Sequence, residues 1–480
     1  MITVVFLLVA PIWVPEVPPL VDLPNHAARI NILANYEANE FYQRNFELVL
    51  EPIPNVALDI LAVPLTKVFG IWTALKIFLT IVALTFFLGC QLVAMAAHGR
   101  TTTLTAFAAP FLLYGGTFFY GYLNYVLSVS LFLVCFGLWM RWRDELSVLR
   151  YATLAVLTIL VYLSHLSSFA FLALALILYN TFEAWESGIR ARSISNWIRD
   201  GALFLLPSIA FLTFMGGSGS VGGLHWADVS KKLILAISPF VSYDYLIDGI
   251  CYASLAAVLI LAVARGEVAV HRKLLAVSCV FFLLFIPAPN LLFTAGDADG
   301  RIILPAFCLF FLAFDVHVAK RLVVPVLIIF FAVFGFRQSL IGYHWHQMSA
   351  TLNDAAKIYE SLPANSFVYV TYGQGYMETT PKTERIKFLS IGLANIDRGV
   401  IWPTLFAIRG HHPLAFRKTQ SVADLTMNNL DKWDQILSEY DHVWAFRVSD
   451  DVRNQLAMRG TIIAESNDIL ILRKGSGDRK

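Results

Sequence analysis

Five stretches of this sequence carry side chains suited to acid–base or phosphate chemistry, and each borders an apolar run. The first is Val21-Asp22-Leu23-Pro24-Asn25-His26, where a carboxylate and an imidazole stand four residues apart around a proline. Asp22 either caps a helix that holds Pro24 in its first turn or, partly desolvated, serves as a general base. Glu51, in Glu51-Pro52-Ile53-Pro54-Asn55, is a second acid, read as an ordinary exposed charge or as a substrate contact. Arg301 closes Asp297-Ala298-Asp299-Gly300-Arg301. Its planar guanidinium suits a phosphate gripped bidentately, or else it snorkels to headgroups or pairs with Asp297 or Asp299. Those two carboxylates also suit a divalent cation. His165 interrupts an apolar stretch, as a functional group or as a helix-to-helix hydrogen bond. Asp244, between Tyr243 and Tyr245, follows the Gly-rich run 216–223 and is placed to line a cleft.

The elements that must position these groups are mostly apolar. Hydrophobic residues make up 58% of the 480 and charged residues 15%, with a mean hydropathy of +0.65, so most of the chain belongs in a lipid bilayer. The charges are uneven: residues 341–480 hold 31 of the 70 Asp, Glu, Lys and Arg. The sequence therefore divides near 340 into a membrane domain, 1–340, and a soluble domain, 341–480. A net charge of +2 argues against a nucleic-acid partner. All five cysteines lie in apolar stretches, which argues against a disulfide framework or a zinc site.

Apolar runs long enough to be considered as spans lie near 2–14, 72–96, 103–115, 119–139, 150–164, 168–182, 200–215, 249–264, 274–290, 302–318 and 322–338. Basic clusters at His98–Arg100, Arg141–Arg150, Arg190–Arg199, Arg265–Lys273 and Lys320–Arg321 all fall on one side only if there are eleven crossings. That count treats 150–182 as a hairpin broken at His165. It puts the long loop 15–71 and everything after 339 outside the cytoplasm. Within that loop Pro24–Ala38 and Asn55–Phe69 read as amphipathic helices lying flat in the interface, with 231–242 as another. The aromatic run Phe118–Tyr125 reads as a belt and is given no role. The polar third reads as a small α/β domain, with strands at 366–372, 442–447, 461–465 and 469–473 and helices at 353–361, 425–440 and 450–459.

By this topology Asp22, Glu51, His165, Asp244, Asp299 and Arg301 share the outer face. The plan, with an acid directly after the first helix, flat interfacial helices, many short spans and a trailing outer domain, resembles the GT-C superfamily of polyprenyl-phosphate-dependent glycosyltransferases. It is similar in plan to protein O-mannosyltransferases and bacterial lipid A sugar transferases. The resemblance implies an α-helical polytopic protein of the bacterial inner membrane. It would take a sugar from a polyprenyl-phosphate donor to a lipid, glycan or protein acceptor of the cell envelope, with inversion. It implies Asp22 as catalytic base and Arg301 as donor-phosphate clamp, with His26, His165, Glu51, Asp244 and Asp299 as substrate contacts. Relatives carry Asp-Glu or Asp-x-Asp where this chain has Asp22-Leu23-Pro24-Asn25-His26, so a second acid and a divalent cation stay open. The competing readings are a lipid or glycan transporter, which predicts midplane charges in two related halves, and a non-catalytic assembly subunit.

Overall fold

The computed structural model describes residues 1–100, 104–215, 223–292, 296–316, 320–373, 385–418 and 433–475. The chain folds as two compact units. One comprises residues 1–14, 51–58 and 76–345, the other residues 15–50, 59–75 and 346–480.

The first unit is helical, and each of the eleven apolar runs carries a helix. Among the described residues five helices are long and apolar enough to cross a bilayer: Ile71–His98, Leu123–Trp142, Leu166–Ser187, Tyr245–Ala264 and the stretch Val323–Ser361. A sixth arises if Ala191–Ala202 and Leu205–Phe214, bent by 43°, act as one. Ile2–Trp13, Leu104–Tyr120, Val148–Ser164 and Gly300–Leu312 are apolar but shorter. The protein is a multi-pass integral membrane protein. Small residues set its helix packing, as lipid-embedded helices require. A Cβ on Gly89 would come within 2.6 Å of Leu133, and one on Gly137 within 2.8 Å of the Leu92 backbone, so Ile71–His98 and Leu123–Trp142 approach closely at both glycines. The break at His165 is real: Val148–Ser164 ends there, His165 is extended, and Leu166–Ser187 begins.

The composition change near 340 lies close to the point where the first unit gives way to the second, at 345/346. A single helix runs from Lys320 to Ile358 and absorbs the helix expected at 353–361. Nothing between Ser339 and Asn353 is a proline, and the lone Gly342 costs too little to stop a helix already nucleated.

The second unit is built on a four-stranded sheet ordered 368–372, 442–446, 469–474, 460–465. The first pair is parallel and the others antiparallel. Tyr369, Val443, Leu470 and Leu472 pack under Trp433, Leu437 and Leu456 from the helices Trp433–Glu439 and Asp450–Ala457. The turn at Asn467-Asp468 joins the last two strands as expected. Of the helix expected at 425–440, residues 425–432 lie outside the described residues. The loop after the first apolar helix is woven into this unit. Its strand Phe46–Leu48 pairs antiparallel with Leu414–Phe416, and its helix Leu23–Asn35 packs on Ile391–Arg398. A Cβ on Gly392 would sit 2.4 Å from the Pro24 carbonyl oxygen, so only glycine permits that approach.

Candidate functional site

In the first unit the polar groups converge on the N-terminus of Gly300–Leu312. Asp299 caps that helix: its Oδ1 accepts from Gly300 N and from Asn290 Nδ2, both at 2.9 Å. The carboxylate is fully buried, and its counter-charge is the Lys232 ammonium at 3.1 Å. Lys232 Nζ also donates to Phe285 O at 2.9 Å and Ala288 O at 2.5 Å. Asp297, in a left-handed conformation at φ 52°, accepts from Tyr122 Oη at 2.8 Å and Asn290 Nδ2 at 3.2 Å. Lys231 stands 4.0 Å away. Both carboxylates are thus engaged by lysines and neutral donors.

Arg301 is treated differently. Its guanidinium lies over the Tyr122 ring at 5.3 Å, and Tyr125 Oη donates to its backbone oxygen at 2.5 Å. Among the described residues it has no ion pair, and its Nε is buried without a hydrogen-bond partner. The expected alternative pairing with Asp297 or Asp299 does not occur, because Lys231 and Lys232 face those acids. A guanidinium at a helix N-terminus, stacked on a ring and without an ion pair among the described residues, has the geometry that suits an anion.

His165 joins this group through Tyr125, whose ring meets the imidazole edge-on at 5.4 Å. Its Nδ1 accepts from Ser167 N at 3.1 Å, so the imidazole also caps the helix that follows. Half-buried Glu51 begins the segment whose Pro52 O accepts from Tyr162 and whose Val56 N donates to Leu163 O, both at 3.0 Å. That segment therefore runs beside the turn ending at His165. Asp244 belongs elsewhere. It caps Tyr245–Ala264, accepting from Leu246 N and Ile247 N at 3.0 Å each. Its neighbour Tyr243 accepts from Trp345 Nε1 at 2.9 Å.

The second unit holds Asp22 and His26. Asp22 is half-buried at the N-cap position of Leu23–Asn35, but its side chain makes no capping bond. Capping therefore does not account for it. His26, one turn on, is buried, with Nδ1 3.3 Å from Arg29 Nη2 and its ring edge-on to Phe406 at 5.0 Å. Arg29, completely buried, grips Asp59 through Nε at 2.8 Å and Nη2 at 3.0 Å, tying Leu23–Asn35 to Ala57–Phe69. Burial pushes the Asp59 carboxyl up, and Arg29 opposes that rise. His412 stacks on Phe406 at 5.4 Å. Burial, with Arg29, His26 and His411 nearby, holds its imidazole well below the ordinary histidine range.

Sequence reasoning missed several of these groups. Tyr122 and Tyr125 sit in the aromatic run that was given no role, and belt composition hides a phenol that bonds a carboxylate. Lys231 and Lys232 were visible as a basic pair in a loop placed outside by the charge count, where basic residues are out of pattern. The buried pairs Arg29–Asp59 and Arg337–Asp248 join residues 30 and 89 positions apart and leave no local signal. Among the described residues no cluster of three or more His, Cys, Asp or Glu is arranged to hold a metal ion.

No protein-family model and no curated protein matches the sequence. Solved structures do match in fold. ArnT from Cupriavidus metallidurans bound to undecaprenyl phosphate superposes with a TM-score of 0.55 at 11% identity, over 99% of this chain and 97% of that one. The same protein in the apo state gives 0.53 at 13% identity, over 97% and 95%. The fold is similar to that of ArnT along nearly the whole chain.

Proposed function

We propose that this chain is an inverting glycosyltransferase that moves a sugar from a polyprenyl-phosphate donor to a lipid, glycan or protein acceptor. It works at the outer face of the bacterial inner membrane, with the second unit extracytoplasmic. The observation that carries the reading is the fold shared, end to end, with a protein crystallised with undecaprenyl phosphate. Two features support the roles within it. Arg301 is kept from its neighbouring acids, so its charge is available to a phosphate. Asp22 stands at a helix start without capping it.

In the proposed step an acceptor hydroxyl attacks the anomeric carbon while its proton passes to Asp22. The new glycosidic bond forms as the bond to phosphate breaks, and the polyprenyl phosphate leaves with its added negative charge against Arg301. One displacement inverts the anomeric centre. His165, Glu51 and His26 would contact the substrates.

The test is transfer of labelled sugar from polyprenyl-phosphate donors in nanodiscs. Asp22→Asn keeps the shape and loses the proton acceptor, so turnover is expected to fall by about 10²–10⁴-fold with donor binding retained. Arg301→Lys keeps charge and loses the planar fork, so donor affinity and turnover should fall together. Full transfer by Asp22→Asn would remove Asp22 from the chemistry.

A further inference from the structure

The second unit contains a cleft of about 350 Å³ that the proposed transfer step does not use. One wall is the last turns of the long helix, with Thr351 and Asp354; the other is Lys387 and the hairpin turn Ser466, Asn467 and Asp468. The volume is at the lower end of the range for small-molecule sites. Its rim is held under strain. Arg447, at the end of the central strand, sits at φ 47°, in the left-handed region that non-glycine residues avoid. Its backbone N–H donates to Asp468 O at 2.8 Å, and its Nε donates to Asp468 Oδ1 at 2.7 Å. Gly373 makes room for that conformation, since a Cβ there would fall 2.0 Å from Arg447 O. A strained residue held in place by two bonds beside the cleft marks a built feature.

The lining names the ligand class. Thr351 and Ser466 offer hydroxyls, Asn467 an amide, Lys387 an ammonium, and Asp354 and Asp468 carboxylates, a mixture of donors and acceptors. The acids are already countered: Lys357 pairs with Asp354 at 2.8 Å, and both Arg447, at 2.7 Å, and Lys387, at 4.0 Å, pair with Asp468. A metal ion finds no unpaired acid, and a phosphate finds only Lys387, which already faces Asp468. Ala355 and Ile358 supply a short apolar strip. A neutral polyhydroxylated ring, with hydroxyls around its edge and C–H groups on its face, matches this set.

We propose that this cleft is a saccharide-binding site that holds a sugar of the acceptor away from the reacting hydroxyl. The acceptor is then a glycan or glycolipid longer than one residue. Only the site's place in the reaction rests on the glycosyltransferase reading; saccharide binding itself does not. The same helix wall is bonded to the segment leading into Asp22. Ser349 Oγ accepts from Val17 N at 3.0 Å, and Asn353 Nδ2 donates to Glu16 at 2.7 Å.

The experiment is saturation-transfer NMR on the full chain in nanodiscs, with mannose, N-acetylglucosamine, rhamnose and galactose as probes. At least one is expected to give signal. Ala355→Trp, which fills the cleft, and Lys387→Ala, which removes its ammonium, should each lower that signal about tenfold or more with the melting temperature unchanged. Asp22→Asn should leave it intact. Silence from all four sugars, signal unchanged in both variants, or displacement by inorganic phosphate or by an acidic peptide would overturn the saccharide site. None of these bears on transfer, whereas full transfer by Asp22→Asn would sink the catalytic reading and leave the saccharide signal in place.

Discussion

Arg301 and Arg337 lie in the same unit, each on an apolar helix and each over a tyrosine ring, Tyr122 at 5.3 Å and Tyr252 at 5.5 Å. Their partners differ. Arg337 is completely buried and binds Asp248 through Nε at 2.6 Å and the Tyr114 carbonyl through Nη2 at 2.8 Å. Asp248 in turn accepts from Ser242 Oγ at 2.8 Å, so one ion pair locks three stretches of chain. Arg301 has two aspartates within four residues and pairs with neither, because lysines from Val229–Ile237 face them. A guanidinium whose donors end on the protein's own oxygens serves architecture. One whose neighbouring acids are engaged elsewhere is, under the proposed function, the clamp for the donor phosphate.

The comparison breaks most visibly at Asp248. Asp248→Ala strands a buried guanidinium, which is expected to cost about 3–5 kcal/mol and to collapse accumulation in the membrane. Arg301→Ala removes a stacking contact of about 1–2 kcal/mol, so the protein should accumulate far better than Asp248→Ala and lose transfer. Thermal unfolding and transfer, measured on both variants, check the pair. Equal destabilisation would mean that Arg301 is architectural too.

Lys232 sharpens the contrast. In Lys232→Met the buried Asp299 loses its counter-charge, and Arg301 is the nearest cation in sequence that can supply one. Competition of that kind should raise the donor KM about tenfold, roughly 1.4 kcal/mol, while kcat falls less. Lys232→Arg should restore the donor KM. An unchanged KM in Lys232→Met would show that Arg301 is not held free by the lysines.

What the sequence disclosed follows from the range of each signal. Apolar runs and alternating strands are local, so the helices near every predicted span and the four strands of the sheet were legible. The polytopic plan with a trailing sheet domain was legible through their order. The assignment of 15–50 to the unit that also holds the C-terminal sheet was not, because the register Phe46↔Phe416 spans most of the chain. The site residues divide the same way. Asp22 and Arg301 stood out by type and place, but what each of them lacks, a cap bond for one and an ion pair for the other, is visible only in three dimensions. The change of composition near 340 was legible too, but not that one helix, Lys320–Ile358, runs through it and passes from the first unit to the second at 345/346.

A smaller effect tests the surroundings of Arg29. His412 is held neutral by burial and by Arg29, His26 and His411, and its Nδ1 accepts from Ile408 N at 3.3 Å. The unfolded chain takes up a proton near the ordinary histidine value of about 6.5, but the folded chain does so only at lower pH. Stability should therefore be complete above pH ~6.5 and fall below it, by at most about 1.4 kcal/mol per pH unit from this group. Unfolding midpoints measured against pH should show that slope, and His412→Gln should flatten it. A slope unaltered in His412→Gln would assign the proton elsewhere.

The smallest expected effect separates the two aspartates found at helix starts. Asp244 accepts from Leu246 N and Ile247 N, which satisfies two of the helix's unpaired donors. Asp22 occupies the corresponding position and satisfies none. If capping is all that Asp244 does, asparagine replaces it, since its amide oxygen accepts the same bonds. Asp244→Asn should then shift unfolding by only a few tenths of a kcal/mol and leave transfer unchanged. Asp244→Ala should cost about 1 kcal/mol, again without a kinetic effect. The same Asp→Asn change at Asp22 is expected to be silent in unfolding and severe in turnover. Reduced transfer by Asp244→Asn at unchanged stability would contradict the division, because the only property lost is negative charge. Asp244 would then have to be counted with Arg301 among the groups that face substrate.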